Sequence, residues 1–205
     1  MKTVSPEPAD PRRAYHHGDL RRELLRVARE EIARVGPAGI TLSSLARLAQ
    51  VSQGAPYRHF ANMTNLLEAL AVQGFEESSA AVDLAAASCG AQGELEAITL
   101  AYVAYAERNI ELYRLMFASR LVPQAAPQSP LADAADRAFE QLRRVVAKTS
   151  PARSVRDDTI LIWAQLHGLV MLKADGLIES ALGRFVKMSP LLAQRADGVA
   201  PARKG

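Results

Sequence analysis

TLSSLARLAQVSQGAPYRHF, residues 41–60, is the stretch that decides how this chain folds. Leu42, Leu45, Ala46 and Ala49 recur at helical spacing and supply one apolar face. Val51 plugs the corner that follows. The next pattern is too short and too polar for a core helix, because it presents Ser52, Gln53, Tyr57, Arg58 and His59. A short helix held at its back and polar at its front suits a DNA major groove. This is a helix-turn-helix pattern, and it points to a DNA-binding regulator rather than an enzyme.

The flanking residues agree. Thr41 is a good N-cap for a helix from Leu42 to about Gln50. Ser52 suits the cap of the third helix, and Pro56 is tolerable only near its first turn, where backbone donors lack partners. Upstream, Leu20, Leu24, Ala28, Ile32 and Val35 predict a helix over 18–35 that Gly36-Pro37 ends. Asn62 is placed to cap a fourth helix, starting near Met63 and running through Leu66, Leu67, Leu70 and Phe75. Residues 1–15, with Pro6, Pro8, Pro11 and Arg12-Arg13, read as a flexible basic arm.

Further helices are expected over about 94–108, 111–118, 131–148 and 156–175, with a less distinct last one within 179–196. Pro123, Pro127 and Pro130 mark a loop, and Gly176 stops the 156–175 helix. No strand pattern or internal repeat occurs, so the expected fold is all-α. The expected division is the arm, a helix-turn-helix domain over 16–62, and a larger helical domain over 63–200.

The 156–175 helix is apolar almost all round, so both its sides must be covered. One side has the chain's own core, and the other calls for a partner subunit. Trp163, Leu166 and Val170 are the expected interface residues. Two readings stay open for Trp163 and His167, four apart on one face: lining an effector pocket, or packing. The same choice applies to Tyr102, Tyr105, Met116 and Phe117, since soft and aromatic side chains suit both pockets and cores.

With 205 residues and 49% hydrophobic content, the chain can build a packed core. Its one cysteine, Cys89, excludes an internal disulfide framework and a cysteine-rich zinc site, and reads as a passive small residue rather than a redox sensor. The N-terminus lacks the apolar run of a secretory signal. The most apolar segment, Ile160 to Leu172, is interrupted by Gln165 and His167 and is shorter than a bilayer span. A cytoplasmic protein, nucleoid-associated when on DNA and without membrane contact, is expected. His16-His17 lacks a third ligand, so neither metal nor cofactor is expected.

Charge is uneven. Residues 1–60 hold 10 Lys/Arg against 6 Asp/Glu, whereas the rest hold 15 against 16. The positive excess lies with the end expected to read DNA, as phosphate neutralisation requires. Enzyme signatures are missing: there is neither a G-x-S-x-G elbow nor a Walker loop. His167 lies more than two helical turns from Asp157 or Asp158, too far for a hydrogen-bonded pair. A helical DNA-binding or interaction protein without ligand response is the alternative class, ahead of an enzyme.

YHHGDLRRELLRVAREEIARVG followed by ITLSSLARLAQVSQGAPYRHFANMTNLLEAL resembles the N-terminal domain of TetR-family transcriptional regulators over about residues 15–72. YRLMF at 113–117 and Trp163-x3-His167-Gly168 resemble the ligand-binding subclass named for its Trp-His-Gly (WHG) residues. The resemblance implies a homodimer on a palindromic double-stranded operator, a repressor released by a small hydrophobic or amphipathic effector. It implies that the fourth helix links sensor to reading head. By position, Thr41 would bond a phosphate through its hydroxyl and its helix N-terminus, and Ser43 would reach a base or phosphate. Ser52 and Gln53 belong to the reading surface, where a glutamine amide can pair bidentately with adenine. Gly54 and Ala55 would allow close approach and contact with a thymine methyl. Tyr57 and His59 would hold phosphates, and Arg58 either a phosphate or a base.

Three positions depart from the family pattern. Gln50 stands where the turn glycine is common; a positive φ there would cost about 1 kcal/mol or more. Met63 and Gln53 stand where cations are usual, which predicts a shallow salt dependence of DNA binding. Arg12, Arg13 and Arg21 are the expected compensation.

Overall fold

A computed structural model describes residues 17–89, 93–149 and 155–178. Its α-helices are α1 (His17–Val35), α2 (Leu42–Leu48), α3 (Met63–Ser88), α4 (Glu94–Arg108), α5 (Ile110–Phe117), α6 (Leu121–Gln124), α7 (Pro130–Thr149) and α8 (Val155–Ala174). Two 3-10 turns, Pro37–Gly39 and Pro56–Arg58, complete the helical elements. The fold is all-α, with no strand among the described residues. The last expected helix, over 179–196, and the arm lie outside these residues. No described helix is long and apolar enough to cross a membrane.

The chain forms two compact units. The first takes the described residues through Glu76 together with Glu111–Ala135; the second takes Glu77–Ile110 and those from Asp136 onward. This differs from the expected boundary after residue 62. α3 contributes to both units, and α5 is grouped with the first.

In the first unit, Leu24, Leu25, Ala28 and Ile32 of α1 are buried, as are Leu42, Leu45 and Ala46 of α2 and Leu66, Leu70 and Phe75 of α3. Val35, expected on the inner stripe of α1, is instead 41% exposed. It lies beside the Pro37–Gly39 turn, where a Cβ on Gly39 would meet its Cγ2 at 2.7 Å. α5 supplies Leu112, Tyr113, Leu115 and Met116, all buried. Phe117 sets its ring edge-on to Phe75, centroids 5.2 Å apart.

α2 is framed by two caps. At its start Thr41 and Ser44 form a capping box: the Ser44 N–H donates to Thr41 Oγ1 at 3.0 Å and the Thr41 N–H to Ser44 Oγ at 2.9 Å. At its end the Val51 N–H donates to the Ala46 carbonyl at 2.9 Å and the Gln50 N–H to that of Arg47 at 3.1 Å. Those two bonds make a Schellman motif, whose left-handed seat normally holds glycine. Here it holds Gln50 at φ 55°. The Gln50 side chain is exposed, so glycine would forfeit no packing there. Gln50→Gly is expected to stabilise the chain by about 0.5–1 kcal/mol, relief of left-handed strain outweighing the added unfolded-state entropy. Urea unfolding followed by circular dichroism checks this, and a lower midpoint would refute it.

In the second unit Val82, Ile98 and Val145 form a core cluster, with Leu95, Tyr102 and Leu142 packed against it. The buried Gln141 of α7 donates through Nε2 to the Ser79 carbonyl at 3.0 Å and to Asp83 Oδ1 at 2.5 Å, tying α7 to α3. Lys148 reaches Glu94, and Lys173 of α8 reaches Glu107 of α4. α8 ends in a second Schellman motif, with Gly176 at φ 68° and the Leu177 N–H donating to the Leu172 carbonyl. The glycine stop is where the sequence put it.

Candidate nucleic-acid interface

The third helix of the head is shorter than an α-helical pattern would give. Pro56 has no N–H, so the Ser52 carbonyl cannot receive an i+4 bond. The Ala55 N–H fills in at 2.9 Å, and Arg58 and His59 close 3-10 bonds to Ala55 and Pro56. The reading element is therefore the single turn Pro56–Arg58 with its lead-in from Ser52. Pro56 is buried and Phe60 is 3% exposed, so the turn is pinned at its back. The Phe60 N–H donates to the Pro56 carbonyl at 2.9 Å, which closes it.

Ser52, Gln53, Gly54, Tyr57 and Arg58 are exposed, and Tyr57 keeps 55% of its surface. The expected Ser52 side-chain cap does not form. Among the described residues the polar side-chain groups of Ser52, Gln53, Tyr57 and Arg58 have no intramolecular partner, so all four are open to a ligand. A Cβ on Gly54 would meet nothing within 4 Å, which leaves its backbone approachable. Ala55 and His59 are half-buried. His59 thus stands further back than its neighbours.

On α2, Ser43 and Thr41 are exposed. The Thr41 hydroxyl oxygen accepts from Ser44, which leaves the hydroxyl proton for an outside acceptor. Part of the helix N-terminus expected to hold a phosphate is already satisfied by this cap. Asn62 caps α3, its Oδ1 accepting from the Asn65 N–H at 3.0 Å. Met63 begins that helix and brings no charge.

The arginines of the head are unequally committed. Arg26 bonds Glu23 and Glu30 along α1, and Arg34 bonds Glu31. The hydrogen bond from Arg26 holds the Glu23 carboxyl below its usual range. Arg47 lies near enough to Glu31 to lower it further, behind the larger effect of the Arg34 hydrogen bond. Arg21 and Arg58 are exposed, and no carboxylate among the described residues pairs with either.

Residues 24–70 match the family described as bacterial regulatory proteins, tetR family, and residues 95–186 match the tetracyclin repressor-like C-terminal domain. The chain belongs to the TetR family of transcriptional regulators. The C-terminal match carries no Trp-His-Gly designation. Among solved structures, a protein of unknown function from Rhodococcus sp. RHA1 is 33% identical, with a TM-score of 0.72 over 82% of this chain and 90% of that one. The TetR-family regulator PfmR from Thermus thermophilus shares the fold at 18% identity, with a TM-score of 0.58 over 72% of this chain and 84% of its own. The fatty acid degradation regulator FadR from Bacillus halodurans does so at 14%, with a TM-score of 0.62 over 94% and 98%. No curated protein sequence matches the chain.

The residues expected at an effector pocket fall in different places. Met116 is 1% exposed in the core of the first unit, where its Sδ would sit 2.5 Å from a Cβ on Gly74. Phe117 packs on Phe75 and Tyr113 in the same unit. Both side chains have core partners among the described residues. In the second unit, Tyr105 is buried and donates to Glu77 Oε2 at 3.2 Å, and Tyr102 packs on the core cluster. Trp163 and His167 are half-buried with ring centroids 6.0 Å apart. Burial pushes the His167 imidazole below its ordinary value, so it is neutral at pH 7.

Of the expected dimer residues, Val170 is buried within its own unit, whereas Trp163 and Leu166 are half-buried. Thr159, Trp163, Leu166 and Val170 form one stripe along α8, with Thr159 fully buried and Val170 1% exposed. That stripe is the inner face of its unit. The outward stripe, two residues round the helix, carries Leu161, Gln165, Gly168 and Leu172, with Ile160 and Leu169 beside it. Ile160, Leu161, Leu169 and Leu172 are 40–59% exposed. Among the described residues a Cβ on Gly168 would meet nothing within 4 Å, so the glycine serves no close contact with them. Among the described residues no group of three His, Cys, Asp or Glu could hold a metal, and His16 lies outside them.

Proposed function

We propose that this regulator is a homodimeric repressor that reads a palindromic operator with the Ser52–Arg58 turn and lets go when a small hydrophobic or amphipathic molecule binds its C-terminal part. The observation that carries this reading is the turn itself, whose back is buried through Pro56 and Phe60 while Ser52, Gln53, Tyr57 and Arg58 stay exposed and uncommitted. Thr41 and Ser43 add contacts from α2, Gly54 and Ala55 admit the DNA closely, and Tyr57 and His59 position the head on the backbone. Repression needs only that the bound dimer occlude a promoter. Such a protein works in the cytoplasm, at the nucleoid.

The effector site is assigned to the second unit around Trp163 and His167, whose neutral imidazole next to an indole suits an apolar ligand with one polar group. α3 is the natural lever, since one continuous helix of 26 residues contributes to both units. Electrophoretic mobility shift on the chain's own upstream promoter tests the reading. A sequence-specific, salt-sensitive shift that a ligand found by thermal-shift screening reverses is expected; absence of specific binding would refute it.

The outward stripe of α8 is assigned to the partner subunit, because the large apolar side chains of Leu161, Leu169 and Leu172 are exposed on one helix face and mark an association surface. Leu161→Glu with Leu169→Glu is expected to weaken dimerisation at least about 100-fold, since two charges would be buried without partners, giving monomers by light scattering at micromolar concentration. An unchanged dimer would move the interface elsewhere.

A further inference from the structure

Arg21 stands out among the charges of the head. Its guanidinium carbon lies 5.4 Å from the centroid of the Phe60 ring, a cation–π arrangement linking α1 to the residue that closes the reading turn. The side chain is nevertheless exposed, and no carboxylate among the described residues neutralises it. Arg26 and Arg34, on the same helix, are tied to glutamates. A cation–π contact engages the charge of a guanidinium, not its donors. It leaves the in-plane N–H groups free for a planar or tetrahedral oxyanion.

From this geometry we propose that Arg21 is a further DNA-binding residue of this chain, a phosphate clamp beside the reading turn whose guanidinium is oriented by the Phe60 ring. The proposal rests on the operator-binding reading above and adds a residue to it. It also locates where this head recovers backbone charge, since Met63 and Gln53 bring none. Phe60 is 3% exposed, so the platform under Arg21 is fixed before DNA arrives. A lysine would keep the charge and lose the planar fork of donors.

The test is fluorescence anisotropy with a labelled promoter duplex and an unrelated duplex, titrated with the full chain across about 50–300 mM KCl. Arg21→Gln is expected to weaken both duplexes alike, about 5-fold per lost contact at ~0.15 M salt, and to flatten the log–log salt slope by about 1 per protomer. Arg21→Lys should keep the slope but bind less tightly than the wild type. Arg108→Gln, an equal loss of charge at an exposed site in the second unit, should leave the slope unchanged. Equal slopes for Arg21→Gln and wild type would overturn the clamp, as would an Arg108→Gln slope that flattens equally. Arg21→Lys binding as tightly as wild type would overturn the orienting role of Phe60. A wild-type chain that binds no DNA would sink the regulator reading itself, an outcome distinct from all of these.

Discussion

Gly74→Val is expected to destabilise the chain by about 2–3 kcal/mol, the cost of forcing extra carbons into a packed core. A Cβ at this position would lie 2.5 Å from Met116 Sδ, 3.1 Å from its Cγ and 3.3 Å from Leu112 Cγ. Met116 is 1% and Leu112 5% exposed, so neither can swing out to solvent. Alanine adds only the first carbon; the flexible thioether gives way in part, and the gain in helix propensity of about 1 kcal/mol offsets much of the clash. Valine adds two methyls with a stiff χ1, and overpacking of that kind costs about 1–3 kcal/mol. Met116→Ala alone leaves a cavity worth about 2–4 kcal/mol, yet in the Gly74→Val background it should restore stability. Denaturant unfolding of the two single variants and the double closes the cycle. Additive losses would show that α5 does not seat on α3 through this pair.

The second large effect is on recognition. Gln53→Ala is expected to lower affinity for the operator about 10- to 100-fold, because a bidentate amide–adenine pair is worth about 1–3 kcal/mol of discrimination. Binding to an unrelated duplex, and the salt slope, should not move, since no phosphate contact is removed. Competition titrations with both duplexes measure the ratio. If both affinities fall together, Gln53 touches backbone rather than base, and sequence reading passes to Ser52 or Arg58.

Much of the head is legible in the sequence because local rules and tertiary packing agree there. Thr41 and Asn62 cap the helices they are expected to cap, and Gly176 terminates α8. The left-handed seat at Gln50 follows from what usually occupies it, and φ 55° agrees. The third helix is overestimated by its pattern, since the missing Pro56 donor converts an α-turn into a 3-10 turn. The reading of Val170 has another cause. A helix apolar all round, such as α8, gives no periodic signal for which stripe faces inward, so Val170 reads as an interface residue although it is 1% exposed. The pattern of α5 shows an apolar face but not its destination, which is Gly74 and Phe75 of α3. Periodicity tells how an element presents itself, not what it meets.

The seating of α5 also bears on how the molecule is made. The head's unit draws on residues 111–135, separated from the rest of it by α4 and half of α3. A growing chain emerges from the ribosome in order, so a nascent head made only of α1, α2 and the start of α3 has an open apolar face where Leu112 and Met116 will lie. A chain that stops before α5 is therefore expected to leave that face uncovered and to unfold at a lower denaturant concentration than the full one.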